Sequence, residues 1–133
     1  MIIDRLHAGL AGYAERFQLA APVNRVDGAV VLSVDGSYRI YCRPAPHGDL
    51  ILESKLSDVP DAPADAEDLI RTALMASAVR VMTHADVPVL SKNGQQILLH
   101  QRVPADASVD EFEASLNNFV KSLADWRRIF RIL

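Results

Sequence analysis

The sequence predicts an α+β fold in the order α-β-β-β-α-β-β-α, a twisted antiparallel sheet flanked by helices, and three observations carry that prediction. Both ends hold amphipathic helical stripes. Asp35-Gly36 and Asn93-Gly94 each separate two runs rich in β-branched and aromatic residues. A long apolar stretch, preceded by prolines and carboxylates, lies between these two hairpins. A chain of 133 residues has the size of one ordinary domain and buries roughly two-thirds of its unfolded surface. Residues 1–133 are therefore read as a single domain.

In the first segment Ile2, Ile3, Leu6, Leu10, Tyr13, Ala14 and Phe17 fall within about 120° of a helical wheel. Asp4, Glu15 and Arg16 lie elsewhere. Gly9 and Gly12 sit off this stripe, and each costs roughly 0.5 to 1 kcal/mol against Ala in a helix interior, so this helix needs tertiary support. Residues 29–34 and 38–43 flank Asp35-Gly36, which suits a two-residue type I′ turn. Such a turn pairs Val34 with Ser37, Leu32 with Arg39 and Val30 with Tyr41 on one face, leaving Val31, Ile40 and Cys42 on the other. A loop with Pro44, Pro46 and Gly48 leads to a third strand at 50–56, whose Leu50, Leu52 and Leu56 share a face.

A Pro- and Asp-rich loop follows, then a second helix over 65–83 with Glu67 and Asp68 favoured near its positive end. Its Leu69, Ile70, Leu74, Met75, Val79, Val81 and Met82 point almost all around the axis, so it requires burial on several sides. Residues 87–92 and 95–103 flank Asn93-Gly94, a second type I′ signal, with Leu90, Ile97 and Leu99 on one face and Val89, Leu98, His100 and Arg102 on the other. Ser108 and Glu111 form a capping box, after which Val109, Phe112, Leu116, Phe119, Val120, Leu123, Trp126 and Phe130 make the stripe of the last helix.

Composition excludes several function classes. With 14 Lys and Arg against 17 Asp and Glu, no basic excess is available to neutralise a phosphate backbone, and nucleic acid is not an expected partner. One cysteine, Cys42, permits no intramolecular disulfide, which fits a reducing, cytoplasmic location. The N-terminal run Met1, Ile2, Ile3 is broken by Asp4, Arg5 and His7 before a signal peptide could form. No stretch reaches the ~18 to 20 apolar residues of a membrane span.

Catalytic equipment is not expected either. His7, His47, His84 and His100 lack the paired spacings of metal sites, and the carboxylates between Asp58 and Asp68 lack the EF-hand pattern, so neither metal nor cofactor is expected. Nucleophile-elbow, phosphate-loop and dinucleotide motifs are missing from the sequence. Cys42 lies in an apolar strand, where a thiol is inert. Arg127, Arg128 and Arg131 suit the negative end of the last helix.

What stands out is surplus apolar surface. Both faces of each hairpin are partly apolar, which an antiparallel sheet with one solvated side does not require. The terminal helices could cover both faces within one monomer. Alternatively a second copy or another protein covers what remains, and the nearly all-round apolar second helix favours a homodimer.

The order of elements, Leu50-Ile51-Leu52 leading to Leu56 and Val59-Pro60, Leu69-Ile70 followed by Leu74, and above all Leu98-Leu99, Val103-Pro104, Ser108, Glu111-Phe112, Leu116, Phe119 and Trp126 resemble the class I type III secretion chaperones of the Tir-chaperone family. The pattern departs from that family at Ala76-Ser77, near the end of the second helix. The resemblance implies a cytosolic homodimer that binds the N-terminal chaperone-binding segment of a secreted effector protein, through apolar pockets and added strand pairing. On this chain the effector surface would draw on Val30, Leu32, Val34, Arg39, Tyr41 and Ile51, with Leu10 and Phe17 from the first helix. Leu74, Ala78, Val81 and Met82 would supply the dimer contact. A regulatory adaptor of the same fold, binding a resident cytosolic protein, is the alternative.

Overall fold

The computed structural model describes residues 7–17, 28–34, 36 and 38–132. Ile2, Ile3 and Leu6 of the first stripe, and Asp35 and Ser37 of the first turn, lie outside these residues. The expected order of elements is realised as α1 (Ala8–Arg16), β1 (Val30–Val34), β2 (Tyr38–Pro44), β3 (Leu50–Asp58), α2 (Pro63–Arg80), β4 (Val87–Leu90), β5 (Gln96–Val103) and α3 (Val109–Ile132). The strands form one antiparallel sheet in the order β1-β2-β3-β5-β4, leaving β1 and β4 at its edges.

The last helix forms where the capping box placed it. The Glu111 amide donates to Ser108 Oγ at 3.1 Å, and Glu111 Oε1 accepts from the Ser108 amide at 2.9 Å. Its stripe supplies the centre of the core: Phe112, Leu116, Phe119, Leu123 and Trp126 are all buried. They belong to one cluster with Leu10 of α1, Leu69 and Ala73 of α2, and the inward side chains of all the strands except β4. All three helices therefore pack on the same face of the sheet. Among the described residues the terminal helices do not cover both faces.

Pairing in the first hairpin corrects the expected register. Val34 faces Tyr38, Leu32 faces Ile40 and Val30 faces Cys42, so three residues, not two, separate the paired ends of the strands. Because side chains alternate with period two, one extra residue changes which side chains share a face. The reason lies in the core: this register buries Val30, Leu32, Ile40 and Cys42 together, whereas the two-residue turn would have set Arg39 and Tyr41 beside Val30 and Leu32, burying a guanidinium.

In the second hairpin the expected register holds, with Leu90 opposite Ile97 and Val89 opposite Leu98. The turn is nonetheless not type I′, since Gly94 alone takes a positive φ, 71°, and its amide closes back on the Ser91 carbonyl at 2.9 Å. Asn93 serves the turn through its side chain, whose Oδ1 accepts from the Gln95 amide and from Ser91 Oγ.

The first helix approaches α3 closely, and its two glycines are the reason. A Cβ added at Gly9 would lie 3.0 Å from Phe112 Cβ and 3.1 Å from the Ala107 carbonyl oxygen, and one at Gly12 would collide with Val109 Cγ2. These residues, off the apolar stripe, are thus the crossing point of two helices. His7 caps α1: its Nδ1 accepts from the Gly9 and Leu10 amides, and its Nε2 donates to the Pro104 carbonyl at 2.6 Å. The second helix starts at Pro63, in the first helical turn, where proline has no amide bond to forfeit. Leu69 and Ala73 are its buried residues, so it is not enclosed on several sides as its composition required.

Candidate functional site

Two surfaces follow from this architecture. The first is the sheet face that, among the described residues, no helix covers. The pairing aligns Val31, Tyr41, Glu53, His100 and Val87 in one row across it, with Arg43, Ile51 and Arg102 in the next and Lys55, Leu98 and Val89 in a third. Most of these side chains are half-buried by their neighbours.

Charge on this face is largely paired internally. Glu53, at the centre of its row, accepts from His100 Nε2 at 2.8 Å and from Arg43 Nε at 2.9 Å. His100 and then Arg43 hold the Glu53 carboxyl below its ordinary value, against the opposing effect of burial. The Arg43 guanidinium also lies 5.4 Å from the centre of the Tyr41 ring. At the sheet's end Arg102 grips Asp49 with Nε, at 2.6 Å, and Nη2, while the Ala105 amide donates to the other carboxylate oxygen at 2.8 Å. The Arg102 bonds, then the Ala105 amide, hold the Asp49 carboxyl below its usual range. Between these pairs lie the apolar side chains of Val31, Ile51, Leu98 and Val89. A partner laid across them buries apolar area without stranding an unpaired carboxylate.

The second surface joins α2 to the edge strand β4. Leu74, Met75, Val79, Val81 and Met82 are exposed on α2 and the turn after it, with Val79 at 81% and Met82 at 89%, and Val87 and Leu90 are exposed on β4. Between helix and strand runs a groove of about 230 Å³ lined by Ile70, Ala73, Leu74, Pro88, Leu90 and Ile97, among others. Contiguous apolar surface of this kind marks a site of protein contact.

The predicted site residues divide between these places. Arg39, Tyr41 and Ile51 stand on the helix-free face. Val30, Leu32 and Leu10 do not: they are core residues, 2%, 8% and 1% exposed, and are out of reach of a partner in this structure. Val34 is half-buried at the rim of the core. Phe17 is half-exposed at the end of α1, its ring centre 4.7 Å from that of Tyr13. Leu74, Ala78, Val81 and Met82 are all exposed together on the second surface.

Sequence reasoning missed Val31, Arg43, Glu53 and His100 on the first surface and Val87 and Leu90 on the second. The face assignment of Val31 depended on the turn length, and Glu53 and His100 meet only across β3 and β5. Among the described residues no three His, Cys, Asp or Glu side chains gather as a metal-binding group, and no helix is long and apolar enough to cross a membrane. Cys42 is buried, and desolvation pushes its thiol up to about 12.

Comparison with known proteins gives this architecture a family. Solved structures share the fold: the HopA1–SchA chaperone–effector complex contains a chain similar at a TM-score of 0.71 and 13% identity, covering 96% of this chain and 94% of that one. The ExsC–ExsE complex gives 0.69 at 16% identity, covering 96% and 91%. The Yersinia pestis type III secretion chaperone SycH, in complex with a fragment of YscM2, gives 0.59 at 15% identity, covering 90% and 98%. No curated protein matches the sequence. The model of the Tir chaperone protein (CesT) family matches residues 10–127, so the chain belongs to that family of type III secretion chaperones.

Proposed function

We propose that residues 1–133 form a single-domain cytoplasmic chaperone that binds the N-terminal region of a secreted effector and keeps it soluble and competent for a bacterial type III secretion system. It acts as a homodimer, by binding alone, with no catalytic step, metal or cofactor. The observation that carries this reading is the placement of all three helices on one face of the sheet, in a member of the Tir chaperone family. Among the described residues that leaves the opposite face for an extended segment of another protein. A segment crossing it would meet Val31, Arg39, Tyr41 and Ile51, and its backbone could add to the β1 edge, as extended peptides do at open sheet edges. Phe17 lies at the end of α1 as a further apolar contact. Leu74, Ala78, Val81 and Met82, with Met75 and Val79 beside them, supply the dimer contact, a helix face whose burial against its own copy removes the largest group of exposed apolar residues among the described residues.

The test is co-expression with the secreted product of a neighbouring gene. Wild-type protein is expected to raise the soluble yield of that product and to co-purify with it through its N-terminal segment, and Ile51→Asp to lose the complex while remaining folded. Equal solubility with and without the chaperone, and no co-purification, would refute the reading. Sedimentation is expected to show a dimer that Val81→Asp converts to monomer, because a charge in an apolar interface is costly.

A further inference from the structure

We infer that Arg80 is a positioning residue for the self-association surface: clamped between Asp86 and Trp126, it sets how the second half of α2 is presented beside β4. The inference rests on the dimer reading above and goes beyond it.

The second helix is weakly seated. Its buried residues, Leu69 and Ala73, lie in the first two-thirds of its length, and from Leu74 onward Leu74, Met75 and Val79 face outward. Arg80, the last helical residue, turns inward, with its side chain 14% exposed. Its Nη2 donates to Ser122 Oγ of α3 at 3.0 Å and lies 3.7 Å from Asp86 Oδ2, while Nη1 lies 3.9 Å from Asp125 Oδ2. The guanidinium carbon is 5.5 Å from the centre of the Trp126 ring. The Asp86 carboxylate is almost fully buried and also accepts the Trp126 indole N–H at 2.9 Å.

The cluster thus ties three elements together at one point. Arg80 ends α2, Asp86 immediately precedes β4, and Ser122, Asp125 and Trp126 belong to α3. An apolar side chain at position 80 could slide against α3. A guanidinium that donates to the Ser122 hydroxyl, faces two carboxylates at ion-pair distance and lies by an indole fixes the depth at which the end of α2 seats, although its buried Nε makes no hydrogen bond. The walls of the apolar surface are α2 and β4, so the group that joins their ends to α3 determines their relative placement.

Two variants test this: Arg80→Met, and Arg80→Met with Asp86→Asn, the second sparing the fold a buried unpaired carboxylate. Sedimentation measures the dimer dissociation constant, and amide exchange measures opening of residues 74–82 against residues 112–123, in the wild-type chain and in a Val79→Asp background where the apolar face is interrupted. Both variants are expected to stay folded. Each is expected to raise the dissociation constant roughly 5- to 150-fold, the usual span of a coupling between sites, and to speed exchange in 74–82 in both backgrounds. Emission of Trp126, the only tryptophan in the chain, reports loss of the clamp. An unchanged dissociation constant, or unchanged exchange in 74–82, in the double variant overturns the inference. A wild-type chain that is monomeric at every concentration overturns the dimer reading instead, and exchange in the monomer then decides alone whether Arg80 positions α2.

Discussion

Replacing Gly12 by Ala ordinarily strengthens a helix, and here it should weaken the protein. In a helix interior the change is worth roughly 0.5 to 1 kcal/mol in favour of Ala, chiefly through backbone entropy. At this position the new methyl runs into Val109 Cγ2, on a β-branched side chain with little rotamer freedom in a helix. Forcing an extra carbon into such a contact costs about 1 to 3 kcal/mol. The net effect is a loss of about 1 kcal/mol, or about 4 °C in midpoint for a domain of this size. Trimming Val109 to Ala removes the collision, so in that background Gly12→Ala should stabilise by roughly 0.5 to 1 kcal/mol. Urea unfolding of the four proteins of this cycle, with equal slopes, measures a coupling of about 1 to 3 kcal/mol. If Gly12→Ala raises the midpoint in the wild-type background, the close approach of α1 to α3 is wrong.

Two further predictions concern titratable groups. Cys42 is buried with its thiol pushed up to about 12, so in native protein at mildly alkaline pH it should resist a disulfide reagent that labels it fully in denaturant; complete labelling of the folded chain would contradict the packing of β2. Glu53 is more acidic folded than unfolded because of His100 and Arg43, so the unfolded chain takes up its proton first. Its contribution to stability is present above the ordinary value of 4.5 and is lost as pH falls through the lower folded value. The midpoint difference between wild type and Glu53→Gln should therefore be larger near neutral pH than in strong acid, and a difference that grew on acidification would refute the pairing.

Much of the fold was legible because local chemistry specifies it. The Ser108–Glu111 box, the stripe from Phe112 to Phe130 and the Asn93-Gly94 hairpin each depend on residues within a few positions of one another. The Asp35-Gly36 hairpin was legible as a hairpin and not in its register. The dipeptide permits turns of more than one length, and the length used was selected by burial of Val30, Leu32, Ile40 and Cys42 beneath helices far along the chain. That one-residue difference moved Val30 and Leu32 from the expected binding surface into the core, and left Val31 with Tyr41 outside.

The candidate surfaces divide in the same way. The chain's own pattern announces that α2 carries more apolar residues than one contact can bury, that the ends are amphipathic, and that catalytic motifs are missing, since each follows from residue type and short-range spacing. Which faces stay open is a long-range matter. Gly9 and Gly12 let α1 lie against α3, Arg80 ties α2 to α3 and Asp86, and β3 and β5 bring Glu53 to His100. Apart from Arg80 with Asp86, these pairings join residues 42 to 103 positions apart in competition with every other way of covering the sheet, and periodicity along a chain carries no record of who wins that competition.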